Sequence, residues 1–122
     1  VFDHMGLPTQ PAGIDDASFV FLRSLIDRGR TWIKLSGAYI NSKIGPPDYP
    51  EATKIAQELV KVAPERIVWG SDWPHPGEQG KPALPDDGLL FDLLAAWAPQ
   101  ESARRRILVE NPESLYGFAK AT

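Results

Sequence analysis

Helix-like and strand-like segments that alternate along the chain, together with strand ends that recur at a fixed interval, predict an α/β protein forming the C-terminal part of a (β/α)8 barrel. Ala38 lies 34 residues after His4, and Asp72 lies 34 residues after Ala38. A barrel of about 250 residues spends roughly 31 on each βα unit, so this rhythm matches about three consecutive units. The run from Arg66 to Asp72 is apolar without polar alternation, as parallel strands covered on both faces are. Residues 1–122 are therefore read as one portion of a barrel domain, with the N-terminal strands outside it.

The elements follow in order. Val1-Phe2-Asp3-His4 reads as the end of a strand already under way, so the chain is expected to be part of a longer protein. From Asp15 to Arg28, Phe19, Leu22, Leu25 and Ile26 recur at helical spacing, with Asp15 or Asp16 as N-cap and Gly29 ending the helix. Thr31 to Tyr39 is rich in β-formers and closes on small residues, which suits a strand opening into a loop. A second helix starts near Pro50 and carries Ala52, Ile55, Ala56, Leu59 and Ala63 on one face until Pro64 stops it. After the strand Arg66 to Asp72, residues 73–87 hold Pro74, Pro76, Pro82 and Pro85 with Gly77 and Gly80, a loop able to cover a site. Two helices divided at Pro99 follow, and Asn111-Pro112 has the cap-then-proline order that opens one last short helix.

Composition narrows the function. With 43% hydrophobic and 24% charged residues the chain is that of a globular protein. Its 13 Lys and Arg against 16 Asp and Glu leave a net charge of −3 without long blocks of one sign, which argues against nucleic acid or a membrane surface as partner. Arg104-Arg105-Arg106 lacks interleaved aromatics and reads as a solvated helix face. The absence of cysteine excludes disulfides and zinc–thiolate sites. No stretch reaches the roughly 20 apolar residues of a membrane helix, so a cytoplasmic location and a small-molecule partner are expected.

Parallel barrel strands deliver their C-terminal ends to one face, where barrel active sites lie. His4, Ser36, Tyr39 and Asp72 should meet there. A carboxylate that deprotonates water and an imidazole that polarises or shuttles a proton make a hydrolytic pair, which selects Asp72 and His4 as catalytic candidates. The hydroxyls of Ser36 and Tyr39 could position a substrate oxygen, and His75 could reach substrate from the loop. Each has a plainer reading: Asp72 as a turn former before Trp73-Pro74, His4 as a core histidine bonded to a carbonyl, His75 as a residue that orders its own loop. Trp32, Trp69 and Trp97 lie in apolar patterns and read as packing, whereas Trp73 could wall a pocket.

Four strings carry a resemblance: Val1-Phe2-Asp3-His4-Met5-Gly6, Ile33-Lys34-Leu35-Ser36-Gly37, Trp69-Gly70-Ser71-Asp72-Trp73-Pro74-His75, and Asn111-Pro112-Glu113-Ser114-Leu115-Tyr116-Gly117-Phe118. In this order and spacing they resemble strands six, seven and eight and the terminal helices of amidohydrolase-superfamily (amidohydrolase family 2) barrels, in the branch of 2-pyrone-4,6-dicarboxylate hydrolase and related lactone hydrolases. The resemblance implies that Asp72 is the strand-eight general base or a metal ligand, and that His4 is the strand-six histidine. It implies either no cofactor or one divalent metal such as zinc, held in part by Asp72 and His4. The pyrone-dicarboxylate enzymes grip carboxylates with arginines; just past strand seven this chain has Asn41, with Lys43 as the nearest cation. Asn41 is therefore a candidate substrate contact without the bidentate charged fork of Arg, so a related lactone or another carboxylated ring fits as well as the dicarboxylate.

The expected function is hydrolysis of a lactone or pyrone-type cyclic ester, with Asp72 as base. A metal-dependent decarboxylase of the same superfamily is the alternative enzyme, and a non-catalytic partial-barrel module the alternative of another class. Three strands cannot close an eight-stranded barrel. The open edges call for another copy of the chain or for the remainder of the barrel, and these residues alone are expected to be inactive.

Overall fold

The structure, a computed structural model, describes residues 1–120. Helix α1 (Ala17–Asp27) leads to strand β1 (Ile33–Leu35), helix α2 (Pro50–Val62) to strand β2 (Ile67–Trp69), and α3 (Asp87–Trp97) to a closing helical run. β1 and β2 pair in parallel, Ile33 with Ile67 and Leu35 with Trp69. On the other edge of β1, Phe2 forms an isolated parallel bridge to Ile33: its N–H donates to Trp32 O at 2.8 Å and its carbonyl accepts from Lys34 N–H at 2.9 Å. Residues 1–3 thus lie where a further strand would, in the chain order expected of a parallel βα array.

Both strands are shorter than the sequence suggests. After Leu35 the ladder stops because Gly37 takes φ +63° and turns the chain out of the sheet plane. Beyond Trp69 a last bond, Gly70 N–H to Leu35 O at 3.1 Å, closes the pairing. Ile33, Leu35 and Ile67 are buried on one face against Phe19, Leu22, Ile55, Leu59, Leu94 and Trp97. Burying one such aliphatic or aromatic side chain is worth about 1.5–3 kcal/mol, which is why these short strands hold despite few ladder bonds.

Helix boundaries follow local chemistry. Asp16 caps α1 by accepting from Ser18 N–H at 2.8 Å, and Asp86 caps α3 by accepting from Leu89 N–H at 3.0 Å. Arg104 is no merely solvated residue: it donates to Ala98 O and Pro99 O, each at 2.7 Å, closing the exit of α3. Helix α4 (Glu101–Arg105) runs through a π-helical turn (Arg106–Glu110) into α5 (Asn111–Tyr116). The expected cap at Asn111 is replaced, since Asn111 itself is helical. Pro112 has no N–H to continue the α ladder, and the widened turn before it accommodates that loss. The Asn111 side chain is free to leave the helix, and its amide donates to Pro64 O at 2.8 Å and Ile67 O at 2.6 Å, tying the last helix to β2. Among the described residues no helix is long and apolar enough to cross a membrane.

Candidate functional site

The strand ends place five polar side chains together. His4 follows the Phe2 bridge in a tight turn, its backbone N–H donating to Ser36 Oγ at 3.2 Å and its Nδ1 lying 3.0 Å from the same oxygen. Its Nε2 faces Asp72 Oδ1 at 3.7 Å. The other carboxylate oxygen, Oδ2, accepts from the Tyr39 hydroxyl at 2.5 Å, and the hydroxyl oxygen stands 3.0 Å from His75 Nδ1. Ser36 thus meets His4, and Asp72 meets Tyr39 and His75 in turn, with the 3.7 Å gap between His4 Nε2 and Asp72 Oδ1 separating the two groups.

Backbone strain collects at these positions. His4 (φ +51°), Asp72 (φ +62°) and His75 (φ +56°) are all left-handed non-glycine residues, a conformation that persists where surrounding structure enforces it and that clusters at functional sites. Gly37 explains one enforcement: a Cβ there would come within 2.7 Å of His4 Nδ1 and 3.1 Å of its Cγ, so the imidazole lies flat over a bare backbone. The turn at Asp72 does not consume its carboxylate. Ser71 Oγ accepts Trp73 N–H at 3.1 Å, and the Asp72 carbonyl accepts His75 N–H at 2.6 Å, leaving the acid side chain for Tyr39 and His4.

His4, Ser36 and Asp72 line an open cleft of about 340 Å³, with Asp3, Lys34, Gly70, Ser71 and Trp73 completing it. Trp73 is 73% exposed at its rim. A larger hollow of about 540 Å³ between α2 and the start of α4 is remote from all these groups and mostly apolar in lining, so the chemistry singles out the smaller cleft. Lys34 and Asp3, which line this cleft, form an ion pair at 2.7 Å; the lysine, through its bond to Asp3, is held above its ordinary pKa and the aspartate below its own. Burial, then the hydrogen bond to Asp72, pushes the Tyr39 hydroxyl well above the ordinary tyrosine value of 10.0, so Tyr39 is a neutral donor.

Three candidates stand elsewhere than expected: the Tyr39 hydroxyl meets Asp72 and His75 and its residue lines a separate hollow, and Asn41 and His75 are buried. Asn41 is buried, and its amide donates to His4 O at 2.9 Å and Gly37 O at 3.5 Å; its donors are spent on backbone rather than turned to the cleft. His75 is buried behind Tyr39, in edge-to-face contact with its ring. Lys34, Asp3 and Gly37 were not singled out by the sequence. A charged residue inside the apolar triplet Ile33-Lys34-Leu35 was the available signal, since period-2 alternation turns it to the face opposite the core. Among the described residues no group of three or more His, Asp or Glu could hold a metal. His4 and Asp72 supply two donors of a set that normally needs at least three.

A family model described as amidohydrolase matches residues 1–118. The chain belongs to the amidohydrolase family. Within this family it is 42% identical over 117 residues to 4-sulfomuconolactone hydrolase of Rhizobium radiobacter, covering 96% of this chain and 39% of the relative. It is also 42% identical over 124 residues to D-galactarolactone isomerase of Agrobacterium fabrum, covering 100% and 42%, and 36% identical to 2-pyrone-4,6-dicarboxylate hydrolase of Comamonas testosteroni, covering 95% and 40%. A solved structure from Agrobacterium tumefaciens superposes with a TM-score of 0.76 at 41% identity, covering 88% of this chain and 37% of the other. A candidate 2-pyrone-4,6-dicarboxylic acid hydrolase of Acinetobacter baumannii, solved with citric acid bound, gives 0.75 at 27% identity, covering 95% and 42%. This amidohydrolase chain spans about two fifths of the length of the curated relatives it matches.

Proposed function

We propose that this chain supplies three consecutive strand ends of a lactone-hydrolase active site, with Asp72 as the general base. The observation that supports it most is the unequal use of the Asp72 carboxylate: Tyr39 binds Oδ2 at 2.5 Å while Oδ1 faces His4 across 3.7 Å and the open cleft. A water shared by Asp72 Oδ1 and His4 Nε2 loses its proton to the carboxylate as its oxygen attacks the ester carbonyl. Cationic or metal groups from the barrel strands beyond these residues would meet the tetrahedral oxyanion, and collapse breaks the ring C–O bond, the proton returning from Asp72 to the leaving alkoxide. Ser36 and Gly37 hold the His4 ring in place, and Asn41 holds the His4 carbonyl. If a divalent ion such as zinc were bound, His4 and Asp72 would supply two of its donors, and the ion would polarise the water or the ester carbonyl.

The relatives' printed activities, all on lactones or a pyrone, support this substrate class, and Lys34 lines the cleft as a cation, although Asp3 already pairs it. The D-galactarolactone isomerase relative favours one second reading, in which a substrate hydroxyl replaces water as the nucleophile that Asp72 deprotonates. The test is to incubate the protein at its full natural length with 4-sulfomuconolactone, D-galactarolactone and 2-pyrone-4,6-dicarboxylate in ¹⁸O-labelled water. Hydrolysis releases one proton per turnover and puts one label in the product carboxylate; isomerisation does neither. No turnover of any of the three by a folded protein rejects the proposal.

A further inference from the structure

We infer that His75, buried and outside the cleft, is a positioning residue that fixes which oxygen of Asp72 acts as the base, working through the single proton of Tyr39. This deepens the reading of Asp72 as general base and rests on it. Tyr39 has one proton and two neighbours able to take it, Asp72 Oδ2 at 2.5 Å and His75 Nδ1 at 3.0 Å. The shorter contact is to the carboxylate, which is also the stronger acceptor. The hydroxyl proton therefore goes to Asp72, and the contact to His75 is a hydrogen bond only if Nδ1 carries hydrogen and donates to the tyrosine oxygen. With the opposite tautomer, hydrogen on Nε2, a bare Nδ1 would compete with Oδ2 for the Tyr39 proton and weaken the cap, so that Oδ2 would be freer to compete with Oδ1 for the attacking water.

The surroundings of His75 favour the first arrangement. Nε2 is buried and has no hydrogen-bond partner among the described residues. Asp87 Oδ1 lies 3.1 Å away but out of hydrogen-bond alignment, so it is the Tyr39 contact at Nδ1, and not this one, that calls for hydrogen on Nδ1. The ring is held in place from three sides: its backbone N–H donates to the Asp72 carbonyl at 2.6 Å, its carbonyl accepts Glu78 N–H at 2.9 Å, and its ring meets that of Tyr39 edge to face with centroids 5.4 Å apart. The same turn that presents Asp72 thus carries the imidazole that orients the hydroxyl donor of Asp72 Oδ2.

The experiment uses the protein at its full natural length. Nitrogen-15 NMR of the unliganded protein should find a protonated His75 Nδ1 whose resonance moves in Tyr39→Phe; a bare Nδ1 overturns the inference whatever the protein hydrolyses. In lactone turnover, His75→Phe keeps the ring and removes the donor, and kcat should fall about tenfold, the worth of one hydrogen bond to an ionised network, with KM nearly unchanged. His75→Asn places an amide N–H near the Nδ1 position and should recover most of that loss. In a Tyr39→Phe background His75→Phe should cost nothing further, since the hydrogen-bonded route from its side chain to the Asp72 carboxylate is gone. Fully additive losses, or equal losses from Asn and Phe, refute it. If none of the lactones is turned over, the reading of Asp72 falls, while the NMR result still decides the bond.

Discussion

Asp72→Asn separates chemistry from architecture at this site. The residue sits at φ +62°, a conformation that Asn tolerates and most other side chains resist. Asn keeps a carbonyl oxygen to accept the Tyr39 hydroxyl and nearly the same volume, so the cleft should keep its shape and unfolding free energy should stay within about 0.5–1 kcal/mol of wild type. What disappears is the group that takes a proton from water. Turnover should fall by about 10²–10⁴-fold, which at 1.36 kcal/mol per decade is about 3–5 kcal/mol of barrier. KM should move much less, since the carboxylate acts on the nucleophile in the transition state and little on the bound lactone. Asp72→Ala is the contrasting variant: it loses the Tyr39 bond and the short polar side chain that lets Asp or Asn tolerate positive φ. Steady-state ring opening and urea denaturation of the full-length protein would be measured together. An Asn variant that folds normally and keeps wild-type turnover would show Asp72 to be a turn residue and the mechanism wrong.

Gly37→Ala should cost about 2–4 kcal/mol, the sum of a left-handed alanine at φ +63° and a Cβ driven to 2.7 Å from the His4 ring; thermal unfolding reads the loss, and an unchanged midpoint refutes the close packing. Asn111→Ala strands the carbonyls of Pro64 and Ile67 and should lower stability by about 2–3 kcal/mol in urea titrations, with no direct effect on the cleft. Tyr39, its hydroxyl raised above 10.0 in the folded state by burial and by Asp72, contributes stability that is complete below the unfolded tyrosine range and is lost as pH climbs through the folded value. Stability should therefore decline on the alkaline side of about pH 10, and Tyr39→Phe should flatten that decline; an equally steep fall in the variant would assign it to other groups.

Much of the fold was legible because its signals are local. The cap at Asp16, one of two neighbouring aspartates the sequence offers, the stop at Pro64 and the apolar faces of α1 and α2 each act within a few residues, and the 34-residue interval reports a repeated unit rather than any one contact. Strand ends were less legible: Thr31 to Tyr39 has strand composition throughout, but the ladder ends where Gly37 turns the chain, and only pairing with β2 and Phe2 shows where that is. Asn111 reads locally as a helix cap, yet its amide is used 44 residues away at Ile67.

The sequence by itself determined the residue types at the strand ends, His4, Ser36, Tyr39 and Asp72, because a period of one βα unit and parallel strands bring them to a common face. Their division of labour came only with the tertiary structure. Which oxygen of Asp72 is capped, that Asn41 spends its amide on the His4 carbonyl, that Lys34 is paired to Asp3, and that His75 stands behind Tyr39 all depend on hydrogen bonds between residues 31 to 37 positions apart. Such bonds are selective to a few tenths of an ångström and to the direction of one proton, and no spacing along the chain encodes either.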